Sequence, residues 1–338
     1  MSSTLTVFRK ELADLFVNKR FILLFAMILL LSTASAYQGA NYLKSSSSTS
    51  TNFMAIFSQG ANGSSFVSLM VTFGPLLGLA LSFDAINKER KSGTLSTLLA
   101  QPIFRDSIIN GKFLAGAVGL TLAIVVTLGV NMGIAITLLG FGPTSTEALA
   151  IVALIAVTII YLCFWYGLGM LFSVYCRETS TSILASVATW IVFSILIFIF
   201  ASFASNVAVS AVSFNPSENF NFTGGNFPGN FTGGPGFNSS MFTTPTSVTE
   251  SRSMIASTIS SISPAYLYSD IASRLTGAVS SSFTGFSVSI PRFTGQQYNL
   301  YTALAGSWAE IAVIAMAMVV CFIASYMLFL RSEIRPAA

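Results

Sequence analysis

Apolar residues in this chain come in long blocks rather than in alternation. The blocks fall at Phe21 to Tyr37, Phe66 to Phe83, Phe113 to Leu139, Leu149 to Val174, Ile183 to Phe203 and Trp308 to Leu330. A hydrocarbon layer about 30 Å thick takes roughly 20 helical residues to cross, which is close to the length of each block. Lipid offers no partner to backbone N–H and C=O groups, so segments of this kind must be helical. The pattern predicts an all-α membrane protein with six transmembrane helices.

The polar stretches between the blocks have patterns of their own. Over residues 1–20, Val7, Phe8, Leu12, Leu15 and Phe16 share one helical face, while Arg9, Lys10, Glu11, Asp14, Lys19 and Arg20 take the other. This predicts an amphipathic helix lying among lipid headgroups. Residues 21–203 hold the first five spans. Between spans two and three, the loop 84–112 carries Asp84, Lys88, Glu89, Arg90, Lys91, Arg105, Asp106 and Lys112. Leu95, Leu98 and Leu99 then make one apolar face that Pro102 closes, which predicts a second amphipathic helix. Residues 204–305 form a large polar insertion, and residues 306–338 hold the sixth span and a tail. Within the insertion, Asn221 to Gly225 and Asn230 to Gly234 both read Asn-Phe-Thr-Gly-Gly, a loop composition. Periodic apolar positions from Met254 to Leu275, interrupted by Pro264, predict two short helices near the membrane surface.

Composition narrows the function. Only 8% of the 338 residues are charged, against roughly 25% for a soluble domain. There is no His and there are three Cys, which removes most metal and nucleophile chemistry; no metal site and no catalytic residue are expected. A phosphate-binding Walker loop needs G-x-x-x-x-G-K-[ST], but Gly111-Lys112 is followed by Phe113, and Asp106 stands where the upstream glycine belongs. The chain is expected not to be an enzyme, and to take its energy from a partner or a gradient.

Charge placement sets the expected orientation. With the N-terminus in the cytoplasm, twelve of the sixteen Lys and Arg fall in inside segments, leaving Lys44, Arg252, Arg274 and Arg292 outside. Cationic loops resist translocation, so both termini are expected inside, in a multi-pass plasma-membrane protein. Four possible glycosylation sites, at Asn62, Asn221, Asn230 and Asn238, fall in the outside segments. Lys19-Arg20, the first apolar run and Ala34-Ser35-Ala36 together also look like a secretory signal with its cleavage site; the expectation is that this helix is retained. Glu310 is the one charged residue inside the six apolar runs, near the outer interface. Charge within a span is costly, which makes Glu310 a candidate for the transport path. Gly116, Gly119, Gly129 and Gly133 of the third span are expected to let neighbouring helices approach closely.

The stretch Glu89-Arg90-Lys91-Ser92-Gly93-Thr94-Leu95, followed by Leu98-Leu99, Pro102, Arg105 and Gly111-Lys112, resembles the loop between the second and third helices of type-two ABC exporter permeases. Phe8-Arg9-Lys10-Glu11-Leu12 and Ser263-Pro264-Ala265-Tyr266 extend the similarity. The resemblance implies a coupling helix that docks on a separate ATP-binding subunit through Lys88, Glu89, Arg90, Gly93, Thr94, Leu95 and Leu98. It also implies an elbow helix containing Phe8, Arg9, Lys10 and Leu12, a second permease copy or paralogue, and ATP with magnesium on the partner subunit. Contact with lipid is expected and contact with nucleic acid is not. The scarcity of charge in the spans points to export of a hydrophobic or amphiphilic substrate. A secondary carrier or channel not driven by ATP stays open as the alternative.

Overall fold

A computed structural model describes residues 3–45, 53–58, 65–91, 105–176, 178–212, 246–277, 283–284, 287–288 and 300–331. The helices among them are α1 (Ser3–Val17), α2 (Lys19–Ser45), α3 (Ala55–Ser58), α4 (Phe66–Ser82), α5 (Asn87–Lys91), α6 (Arg105–Leu139), α7 (Ser145–Tyr175), α8 (Thr179–Ile191), α9 (Ile197–Val212), α10 (Thr246–Ser260), α11 (Pro264–Thr276) and α12 (Leu300–Arg331). One π-helical turn, Val192–Leu196, joins α8 to α9, and a two-residue hairpin pairs β1 (Phe283–Thr284) with β2 (Ser287–Val288). Six segments are long and apolar enough to cross a membrane: Lys19–Lys44, Phe66–Lys91, Asp106–Leu139, Ser145–Tyr175, Thr179–Ala208 and Leu300–Arg331. The predicted fold class and number of spans hold. The spans are longer than the apolar runs, because polar ends such as Asp106 to Lys112 continue the helix.

Helix α7 is the centre of the bundle. It packs against α4, α6, α8, α11 and α12, and its Tyr161, Leu162, Trp165 and Met170 are fully buried. The tightest approach is to α4. A Cβ at Gly78 would stand 3.0 Å from the Leu162 carbonyl oxygen and 3.1 Å from the Tyr166 nitrogen, and one at Gly74 would stand 2.9 Å from the Leu162 side chain. Two small residues one turn apart let the backbones meet, the usual route to helix association in lipid. Of the third-span glycines, Gly116 receives the Tyr166 ring and Gly119 receives Leu15, as expected, while nothing lies within 4 Å of a Cβ at Gly129 or Gly133.

Pro75 sits inside α4, where it cannot donate to the carbonyl four residues earlier, that of Val71. The Tyr161 hydroxyl of α7 donates to that carbonyl instead, at 3.2 Å. Tyr161→Phe is therefore expected to destabilise the fold by about 1–2 kcal/mol, the cost of a buried acceptor left unpaired. Thermal unfolding of the purified protein would show it, and an unchanged midpoint would mean that the freed carbonyl finds another partner.

The half of the bundle remote from α1 and α5 is sealed by two short elements. Residues 53–58 are all buried and pack beside α2 and α4. Helix α4 starts below them, its N-terminus closed by a reciprocal cap between Ser65 and Ser68. Helix α11 corrects the expectation of a surface helix. It packs on α4, α7 and α12, with Tyr268, Ile271, Ala272 and Leu275 buried. The Tyr268 ring stacks on Tyr161 at 4.4 Å, and its hydroxyl lies 3.0 Å from that of Thr158. Pro264 does begin this helix, but buried aromatic side chains carry it between the spans.

Candidate functional site

The site is the end of the bundle where α1, α5 and the start of α6 meet. Helix α1 packs along the first turns of α6 through a stripe at four-residue spacing. A Cβ at Gly111 would stand 2.8 Å from Val7, and one at Gly119 would stand 2.9 Å from Leu15. Between those contacts comes Glu11. This residue belongs to the face turned toward α6, not to the solvent face on which amphipathic periodicity put it.

Glu11 is there because of Lys112. The Lys112 side chain is 5% exposed, and its Nζ lies 2.8 Å from Glu11 Oε2 and 2.8 Å from Glu89 Oε1. One buried cation thus ties together the first helix, the root of the loop after α4 and the first turns of α6. The Lys112 backbone is held as well, since its carbonyl accepts the Tyr166 hydroxyl at 3.0 Å. Burying three charges is expensive and is offset only when each is paired with good geometry. The sequence pattern places Lys112 among loop charges and Glu11 on the polar face of the first helix, and does not bring the two together. The signal that could have singled them out was the continuation of helical periodicity from Arg105 through Lys112 into the apolar run.

The root of the loop is anchored by further contacts from three other helices. The Ser173 hydroxyl of α7 accepts the Ile86 and Asn87 N–H groups at 3.0 and 3.3 Å, and the Ser182 hydroxyl of α8 donates to the Phe83 carbonyl at 2.7 Å. Arg20 of α2 pairs with Asp84 at 2.7 Å and lies over the Phe83 ring. Four helices therefore hold the segment 83–91 in one orientation.

The predicted site residues divide as follows. Lys88 is exposed, and Glu89 and Arg90 are half-buried on α5. Gly93, Thr94, Leu95 and Leu98 lie outside the described residues, as do Asn62, Asn221, Asn230 and Asn238. On α1, Arg9 and Lys10 are exposed, while Phe8 and Leu12 are half-buried. Glu310, on α12 at the opposite end, faces Arg274 of α11 at 3.2 Å. Arg274 also pairs with Asp270 at 2.6 Å and donates to the Gly306 carbonyl at 2.7 Å. These contacts clamp α11 onto α12. Glu310 is also not alone among charges in the spans, since the longer helices take in Lys112 and Glu147, both buried.

Among the described residues no group of His, Cys, Asp and Glu could hold a metal ion. What the geometry does show is a link: one ion-paired lysine joins α5 to both α1 and α6.

The family model for the ABC-2 family transporter protein matches residues 5–334. A probable ABC transporter permease protein NosY of Pseudomonas aeruginosa is 35% identical over 150 residues, which cover 44% of this chain and 46% of the relative. The protein of the same name in Stutzerimonas stutzeri is 32% identical over 129 residues, covering 38% of this chain and 44% of the relative. The matched stretch thus spans less than half the length of each relative. With the family match running through all six spans and the ion-paired end, the chain belongs to the ABC-2 family of transporter proteins.

Proposed function

We propose that this protein is the permease subunit of an ABC transporter, driven through the 84–112 loop by a separate ATP-binding subunit that carries ATP and magnesium. The observation behind this reading is the Glu11–Lys112–Glu89 triad, which fastens the root of that loop to both α1 and α6. A partner that binds two states of the loop unequally would bias two spanning elements at once. On this reading Lys88, Arg90, Gly93, Thr94, Leu95 and Leu98 meet the partner. Glu89 keeps the loop tied to the bundle, and α1 is the elbow helix. Both termini face the cytoplasm of a plasma membrane, and two permease chains act together to export a hydrophobic or amphiphilic molecule. The outer insertion carries the glycosylation sites.

Gly93→Glu tests the coupling without touching the triad. Co-expressed with its ATP-binding subunit, the variant is expected to stay in the membrane while transport per ATP hydrolysed falls roughly tenfold, the equivalent of about 1.4 kcal/mol of lost differential binding. Unchanged transport together with unchanged recovery of the ATP-binding subunit would sink the coupling assignment.

A further inference from the structure

A cleft of about 480 Å³ opens at the same end of the bundle and takes no part in the triad. It is lined by Asn18, Arg20, Asp84, Lys88, Lys91 and Thr179. These residues come from the ends of three spans: the start of α2, the end of the span that α4 begins, and the start of α8. Helices α2 and α8 each pack on α4, so α4 with its extension forms the floor and the other two form the walls. The cleft therefore lies where the hydrocarbon ends and the headgroups begin.

Its charge is unbalanced. Arg20, Lys88 and Lys91 line it against a single carboxylate, Asp84, and that carboxylate is already paired with Arg20 at 2.7 Å. Lys88 and Lys91 are both exposed, and among the described residues neither has an ion-pair partner. Two cations are thus left facing a cavity large enough for a small headgroup, since binding sites of this kind run to roughly 300–1,000 Å³. On the next turns of the same two helices apolar side chains are exposed: Ile22 and Leu23 on α2 are 49% and 66% exposed, and Ile183 and Leu184 on α8 are 41% and 71% exposed.

We infer that this cleft holds one anionic phospholipid, with its phosphate between Lys88, Lys91 and Arg20 and its acyl chains against Ile22, Leu23, Ile183 and Leu184. Cations lining the cleft and exposed apolar side chains on the adjoining turns of the same helices match the two halves of such a molecule. A free phosphate would use only the upper half, and an acidic loop of a protein partner would leave the lower half uncovered. The inference rests on the membrane-spanning architecture; because it gives Lys88 to the lipid, the partner contact proposed above then falls to Arg90, Gly93, Thr94, Leu95 and Leu98.

Native mass spectrometry of the full chain in detergent, titrated with dioleoylphosphatidylglycerol, tests it. One molecule is expected to stay bound under conditions that strip dioleoylphosphatidylcholine. The K88A/K91A double variant should weaken retention roughly 30-fold, equivalent to about 1 kcal/mol for each lysine near an anionic headgroup, and Leu184→Asp should weaken it by cutting the acyl track. Lys44→Ala, at the far end of α2, should leave it unchanged. Three results would overturn the assignment. Equal retention by K88A/K91A and the parent chain would remove the cations from the site. Displacement of the lipid by millimolar inorganic phosphate, with Leu184→Asp silent, would make it a phosphate site. Loss of a co-expressed ATP-binding subunit from K88A/K91A, with lipid retention intact, would make it a protein-docking surface.

Discussion

Lys112→Met is expected to cost about 3–5 kcal/mol of stability, the range found when one partner of a buried ion cluster is removed. The methionine fills most of the space of the lysine stem, so the loss is electrostatic rather than a cavity. With the ammonium gone, Glu11 and Glu89 are left as two carboxylates that shared a single site 2.8 Å from the same nitrogen. Both side chains are largely withdrawn from water, at 19% and 12% exposure. Repulsion between them pushes α1 off α6 and frees the root of the loop after α4, so transport should fall with the unfolding midpoint. The triple variant Glu11→Gln, Glu89→Gln, Lys112→Met separates charge from packing. If the cost is electrostatic, neutralising the acids recovers most of the midpoint. Should the triple variant unfold as early as the single one, the triad would be a packing contact and the mechanical link would fail.

That triad also marks how far the sequence could be read. The six spans were legible because twenty apolar residues in a row have one stable arrangement in lipid, and the amphipathic first helix was legible from its face of Val7, Leu12 and Leu15. The burial of Lys112 was not. Local composition does not separate a solvated cation from one neutralised by Glu11, a residue far away in the chain, and a polar stretch beside a span reads as loop even when the helix runs through it. The glycines make the same point. Gly74 and Gly78 are spaced like Gly129 and Gly133, yet Gly78 meets the α7 backbone and Gly74 the Leu162 side chain, while the second pair meets nothing. Spacing gives the opportunity for close approach, but the position of the neighbouring helix decides its use. The immersion of α11 was hidden for a related reason. Its run of apolar residues is too short to span a membrane, and what draws it inward is the stacking of Tyr268 on Tyr161, a contact between distant segments.

Segment 53–58 is the other element that local pattern missed, and one residue holds it. Glu147 is 8% exposed. Its Oε1 accepts the Phe53 N–H at 2.7 Å, and its Oε2 accepts the Thr144 N–H at 2.8 Å and the Thr144 hydroxyl at 2.7 Å. One carboxylate thus closes the first turn of α7 and ties the buried segment to it. Glu147→Ala should cost about 1 kcal/mol for the lost cap and about 1–3 kcal/mol for the Phe53 N–H left buried without an acceptor. Glu147→Gln should cost less, because its carboxamide keeps one acceptor oxygen for Phe53. The readout is local. Ser58, 6% exposed, is changed to Cys in a background where Cys163, Cys176 and Cys321 are Ala, and labelling by a membrane-impermeant maleimide reports how often the segment lifts away. A lost anchor of about 2 kcal/mol or more raises the open population roughly 30-fold, since each 1.4 kcal/mol is a factor of ten. Labelling should therefore rise steeply in Glu147→Ala and only modestly in Glu147→Gln. If the thiol stays protected in both, the buried Phe53, Met54, Ile56 and Phe57 side chains hold the segment by themselves, and Glu147 serves α7 alone.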